Sequence, residues 1–234
     1  MAVDDRLPRS TTATRARGGA VRAGTWLLGA AAAIIALMWV LGLLIVDGSV
    51  PEVIRRLDSR LSQWAPDHRT PALDQFSHLG SMLADTLVAL LVAAVAVLVL
   101  RLALGRWREP VVVVVAIVGE LLIFLVLTAI VHRARPGIAP LDQAPPTSSF
   151  PSGHTGAAVA LYGGLAVICL RTVRPRWLAV SLAVVGFAIP VVVAASRVYR
   201  GMHFPTDVLA GALASGLWLT AVLLVLLTPP SLPR

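Results

Sequence analysis

Charged side chains are scarce in this sequence, at 14% of 234 residues against 57% hydrophobic. The apolar residues gather into runs longer than a soluble core helix needs, which points away from a water-soluble domain. Cysteine is nearly missing. The single Cys169 lies inside an apolar run, which excludes an intrachain disulfide and a cysteine zinc site and makes redox chemistry a poor fit. Lysine is absent altogether: all 20 basic side chains are arginine, so the formal charge of +8 comes from a group that keeps its proton at working pH. Those arginines are spread between the apolar runs rather than collected on one polar domain, which argues against a nucleic-acid partner. There is no internal repeat and no sign of a second domain.

What is present is six apolar stretches near the roughly 20 residues that cross a hydrocarbon layer. They are Thr25 to Val46, Met82 to Leu100, Pro110 to Val131, Thr155 to Leu170, Trp177 to Ala195 and Val208 to Thr228. The fold class is therefore all-α, a polytopic membrane protein with six transmembrane helices in a bundle. The first stretch follows Arg15, Arg17 and Arg22 as a secretory leader would, but it is too long for a signal core and five more spans follow, so it reads as a retained helix. The membrane domain is expected over residues 25–228, flanked by a basic tail without regular structure over 1–24 and a short tail over 229–234.

Six spans put both termini on one side, and arginine bias chooses the side. Arginines crowd the amino-terminal tail and the connections after spans two (Arg101, Arg106, Arg108) and four (Arg171, Arg174, Arg176), which should be cytoplasmic. The connections Asp47 to Ser81, His132 to His154 and Ser196 to Asp207 then face outward in a cell membrane. In the first of these, Val53, Ile54, Leu57, Leu61 and Trp64 recur at helical spacing among Arg55, Arg56 and Arg60. Two readings stand: an interfacial helix lying on the membrane, or a loop helix packed on the bundle.

The other two outward connections hold the chemistry, and by counting spans they surface on the same membrane face. Pro151-Ser152-Gly153-His154 sits where a loop becomes a helix, with Ser152 suited to capping and free N–H groups aimed at an anion. Gly153 allows an oxyanion close to the backbone. Arg135 and Arg197 are planar forks that can each hold two phosphate oxygens. His203 and Asp207, four apart at the start of the last span, suit a carboxylate that takes the Nδ1–H and leaves Nε2 to attack. His154 remains to protonate a departing alkoxide and to take a proton from water. Each piece alone has a bland explanation. Two histidines, a carboxylate and several arginines on one face have few. Arginines and helix N–H groups stand where a metallophosphatase would need clustered carboxylates, so no metal and no cofactor is expected.

Arg135-Pro136, Pro151-Ser152-Gly153-His154 and Ser196-Arg197 followed by His203 and Asp207 together resemble the three-part pattern of the type 2 phosphatidic acid phosphatase superfamily. The resemblance covers about Asp47 to Gly211. It implies a six-helix membrane phosphatase in which His203 forms a phosphohistidine, Asp207 orients it, His154 is the acid and base, and Arg135, Arg197, Ser152 and Gly153 hold phosphate. The substrate would be a lipid phosphate in the bilayer, either polyprenyl diphosphate, phosphatidate or phosphatidylglycerol phosphate; no obligate protein partner is indicated. One position departs from the pattern, with Thr128 where the family has lysine. Arg133 or Arg200 could fill that place, with His132 a weaker candidate; each could equally be an exposed loop residue.

Glu120, near the middle of a span, fits either a proton path or, in the preferred reading, a buried hydrogen bond between spans. Asp85, near a span end, calls for less explanation. Competing functions are a lipid phosphotransferase discharging the same phosphohistidine to an alcohol, vanadate-dependent halide oxidation, and a non-enzymatic transporter or scaffold. The intact His154, His203 and Asp207 argue against the last of these.

Overall fold

The computed structural model describes residues 9–144 and 146–228. Six helices are long and apolar enough to cross a membrane, as the hydropathy runs indicate. They are α1 (Arg9–Val46), α4 (Thr86–Leu104), α5 (Arg108–Ile130), a continuous span built from α6 (Gly153–Ala158), a π turn (Val159–Gly163) and α7 (Gly164–Thr172), then α8 (Arg176–Tyr199) and α9 (Pro205–Leu227). Two shorter helices, α2 (Glu52–Asp67) and α3 (Pro71–Met82), fill the connection between the first two spans. The bundle and its membrane-spanning helices bear out the all-α reading.

Several boundaries differ from those read off hydropathy. α1 begins at Arg9, so residues 9–24 extend the first helix where a tail without regular structure was expected; residues 1–8 and 229–234 lie outside the described residues. The second span starts at Thr86 rather than Met82, because α3 ends there and a turn through Ala84 precedes Asp85 at the amino-terminal cap. α9 starts at Pro205, where a missing N–H costs nothing.

α9 is the central post, packing against α1, α5 and α6, while α4 lies outside α5. Where helix and loop backbones approach, side chains are small: the missing Cβ of Gly211 makes room for the Ser152 carbonyl. The lipid-facing surface is apolar, as on α4, where Leu87, Leu91 and Leu102 are exposed.

α2 is a loop helix packed on the bundle, and it keeps an apolar side free. Its Val53, Leu57, Leu61 and Trp64 are exposed on one side, while Asp58, Ser62 and Ala65 are buried against the bundle. α3 was not foreseen as a helix. Thr70 caps it by accepting from the Leu73 N–H at 3.2 Å, and Pro71 occupies its first turn.

Candidate active site

The two motif-bearing connections meet. Leu141 donates to the Arg200 carbonyl at 3.0 Å and Ser152 donates to that of Asp207 at 3.0 Å, stitching the loop between α5 and α6 to the first turn of α9 and to the turn before it. That turn passes through Gly201 at φ +74°, which a residue with a Cβ rarely adopts. Beneath it lies a cavity of about 420 Å³ whose upper wall holds Arg135, His154, Arg197 and His203.

His203 is buried, 4% exposed, and its Nδ1 lies 2.7 Å from the Ser149 carbonyl. A carbonyl can only accept, so Nδ1 carries the proton and Nε2 keeps its lone pair. Asp207 was expected to take that proton, but it is 3.8 Å from Nδ1. Its carboxylate is instead held by the Arg133 guanidinium and by the Phe204 N–H at 2.9 Å. Asp207 thus supplies charge beside the ring while a backbone carbonyl orients it. Burial pulls the His203 pKa down, assisted by the charges of Arg197 and Arg135 and opposed by Asp207.

The two expected phosphate-binding arginines line the same cavity and are braced from behind. Arg135 donates to the Met202 carbonyl at 2.7 Å, and Arg197 donates to Ser81 Oγ at 2.8 Å and Asp142 at 3.1 Å. Each retains a buried Nε–H without a partner. Burial lowers the Arg135 pKa against the opposing pull of Asp207. Asp142, which the sequence did not single out, fixes Arg197 and Arg200 together. Burial alone would raise its carboxyl pKa, but those two guanidinium groups hold it below the usual range.

Gly153 and His154 reach the cavity at the start of α6, whereas Ser152 does not line it. Ser152 occupies the cap position as expected, but its side chain makes no capping bond and accepts from Thr155 Oγ1 at 3.1 Å. A Cβ at Gly153 would stand 2.8 Å from the Phe124 ring, so packing as well as backbone approach calls for glycine there. His154 Nε2 lies 2.9 Å from Asp85 Oδ1 across the cavity mouth. Asp85 is a partner that sequence inspection missed.

Neither candidate for the missing lysine lines the cavity. Arg133 is consumed by Asp207, by Asp58 at 2.7 Å and by Thr206 Oγ1 at 2.7 Å, with its guanidinium 4.2 Å from the centre of the Phe204 ring. Arg200 is taken up by Asp142, Ser77 and the Asp74 and Leu141 carbonyls. The Thr128 hydroxyl donates back to the Phe124 and Leu125 carbonyls of its own helix. Among the described residues, no group of three or more histidine, cysteine or acidic side chains is arranged to hold a metal ion.

The sequence profile described as PAP2 superfamily matches residues 82–229, more than half of the chain. Phosphatidylglycerophosphatase B of Bacillus subtilis is 38% identical over 90 residues, which are 37% of this chain and 42% of that protein. An undecaprenyl-diphosphatase of Sulfolobus acidocaldarius is 36% identical over 80 residues, 34% of each. Both alignments therefore span less than half of the relatives' lengths. Among solved structures, a transmembrane PAP2-type phosphatidylglycerolphosphate phosphatase from Bacillus subtilis superposes with a TM-score of 0.71 over 80% of this chain and 93% of that one, at 24% identity. Aquifex aeolicus LpxE superposes with a TM-score of 0.53 over 72% and 94%, at 22% identity. At those identities the likeness is one of fold.

Proposed function

This chain belongs to the PAP2 superfamily, and on that premise we propose that it is a multi-pass membrane phosphatase that removes phosphate from a lipid through a phosphohistidine on His203. The observation that carries this reading is the Nδ1–H of His203 held by the Ser149 carbonyl, which leaves Nε2 as a nucleophile beside Arg135 and Arg197. Nε2 attacks phosphorus, the N–P bond forms and the bond from phosphorus to the lipid oxygen breaks. His154 delivers a proton to that oxygen. Because Asp85 occupies Nε2 of His154, Nδ1 is the nitrogen left for the transfer. Water then attacks the phosphohistidine, its proton passes to His154, and inorganic phosphate leaves. Asp207 balances the positive charge that gathers on the His203 ring, and the guanidinium groups of Arg135 and Arg197, which line the cavity, balance the equatorial oxygens.

Positive charge from two guanidinium groups and a helix end supports a reaction without metal. Phosphate release from a panel of lipid phosphates in detergent should persist in excess chelator and vanish in His203→Ala. Abolition by chelator with rescue by Mg²⁺ would overturn the mechanism. The arginine distribution supports placing both termini in the cytoplasm and the site on the outer face of the cell membrane. Ala144→Cys, made after Cys169 is replaced, should react with an impermeant maleimide on intact cells; reaction only after permeabilisation inverts the topology.

A further inference from the structure

Glu120 is 7% exposed on α5, at hydrocarbon depth, where a polar group is costly unless something pairs with it. The interhelical hydrogen bond expected of it does not form: among the described residues it has neither a hydrogen-bonding nor a charged partner. Its carboxyl lies against Gly156, as does the buried Ser215 hydroxyl of α9, and the residue lines the active-site cavity below His154. Around it the wall is apolar, formed by Ala89 and Leu90 of α4, Ile117 and Leu121 of α5 and Ala157 of α6.

Gly156 is three residues below Gly153, about 4.5 Å along the helix at the ordinary rise per residue. A ligand whose phosphate rests at Gly153 and His154 therefore meets a carboxyl group roughly a turn deeper, in a cavity wall that is otherwise apolar at that level. Lipid phosphates differ at that depth. A glycerol-based lipid carries ester carbonyls or a hydroxyl a few bonds from phosphorus. A polyprenyl diphosphate carries only hydrocarbon beyond its last phosphate oxygen, and would leave the carboxyl buried and unpaired.

Building on the phosphatase reading above, we propose that Glu120 determines specificity by hydrogen-bonding the ester carbonyl or hydroxyl of a glycerol backbone, so that this chain prefers glycerophospholipid phosphates to polyprenyl diphosphates. A carboxylic acid suits the task because it can donate to a carbonyl and accept from a hydroxyl. Discrimination of this kind comes from a site built to pair with a polar group, and is stronger than discrimination by chain shape.

The test compares kcat/KM for dioleoyl phosphatidate, its dialkyl ether analogue without carbonyls, and farnesyl diphosphate in the same micelles. Wild type should favour phosphatidate. Glu120→Leu should lower kcat/KM for phosphatidate about ten- to a hundredfold, the worth of one buried hydrogen bond, and leave or raise that for farnesyl diphosphate. Glu120→Gln, which keeps a donor and an acceptor, should lose less, and the ether analogue should respond less than the diester. An equal fall for all three substrates, or a wild-type preference for farnesyl diphosphate, overturns the proposal. If no lipid yields phosphate, the phosphatase reading fails by itself. The affinity of phosphatidate for the solubilised protein then decides the role of the carboxyl, and an unchanged Kd in Glu120→Leu overturns it.

Discussion

The two histidines of this site are held in opposite ways. His203 is buried, oriented by a backbone carbonyl and backed by a fully buried carboxylate whose own partners are a guanidinium and a backbone N–H. The His154 side chain is 29% exposed and answers to an Asp85 side chain that is 49% exposed, near the top of a different helix. One corner is rigid because its groups have no water to turn to. The other is adjustable because water competes for every bond. A nucleophile gains from fixed aim along one line, whereas an acid that later acts as a base serves two different oxygens in turn.

The strongest way to break the comparison is to delete each ring. His203→Ala should lower turnover at least about a thousandfold on every substrate, with the elution profile and helix content unchanged. His154→Ala should fail comparably on alkyl phosphates, yet give a burst of nitrophenol from p-nitrophenyl phosphate, with acid-labile phosphate retained on the protein. Trapping by the first variant and not the second would reverse the roles.

A smaller effect separates the supporting carboxylates. Asp58 on α2 is buried and accepts from Arg133, from the Thr206 N–H at 2.9 Å and from Thr206 Oγ1 at 2.5 Å, so it locks the start of α9 that carries Asp207. Removing one charge from such a buried set leaves its partner uncompensated, at a cost of about 3–5 kcal/mol. Asp58→Asn should lower Tm by several degrees and kcat about tenfold or more. Asp85→Asn should leave Tm unchanged and reduce kcat by less than about tenfold, since a water-exposed pair contributes little. Equal effects would erase the distinction between the corners.

The mildest probe is pH. The proposed nucleophile must be neutral, and burial lowers the His203 pKa from its ordinary 6.5. The unprotonated ring therefore persists as pH falls to 6.5, and kcat/KM is lost only as pH drops through the lowered value. Asp207→Asn removes the one carboxylate that opposes this shift and should move the acid limb lower still. An acid limb at or above 6.5 that shifts with His203 environment would contradict the assignment.

Much of this was legible beforehand, for particular reasons. Span length and number follow from hydropathy alone, and the parity of the spans puts Arg135, His154, Arg197 and His203 on one face. Pairings across long separations were not legible. Asp85 meets His154 from 69 positions away, and Asp58 meets Arg133 from 75 positions away, through packing that local pattern does not encode. Arg133 looked like a spare cation because its two carboxylate partners sit in different helices. The 4-residue spacing of His203 and Asp207 suggested a direct bond, but His203 lies before α9 begins at Pro205, outside the helical spacing, and its Nδ1 meets the Ser149 carbonyl instead. α3 did carry a readable start signal in Thr70-Pro71, hidden inside what looked like one long loop.

Leu90 and Leu121 line the cavity and are also 52% and 46% exposed on the outer flank of the bundle. The cavity wall that α4 and α5 share is therefore apolar at hydrocarbon depth, where the chain of a lipid can lie against it. On the proposed lipid phosphatase reading, a substrate whose chain stays against that wall never leaves its leaflet, so encounter happens in two dimensions. The concentration that governs saturation is then the mole fraction of phosphorylated lipid in the surface, and adding inert lipid or detergent at constant total substrate slows the reaction by dilution in the plane.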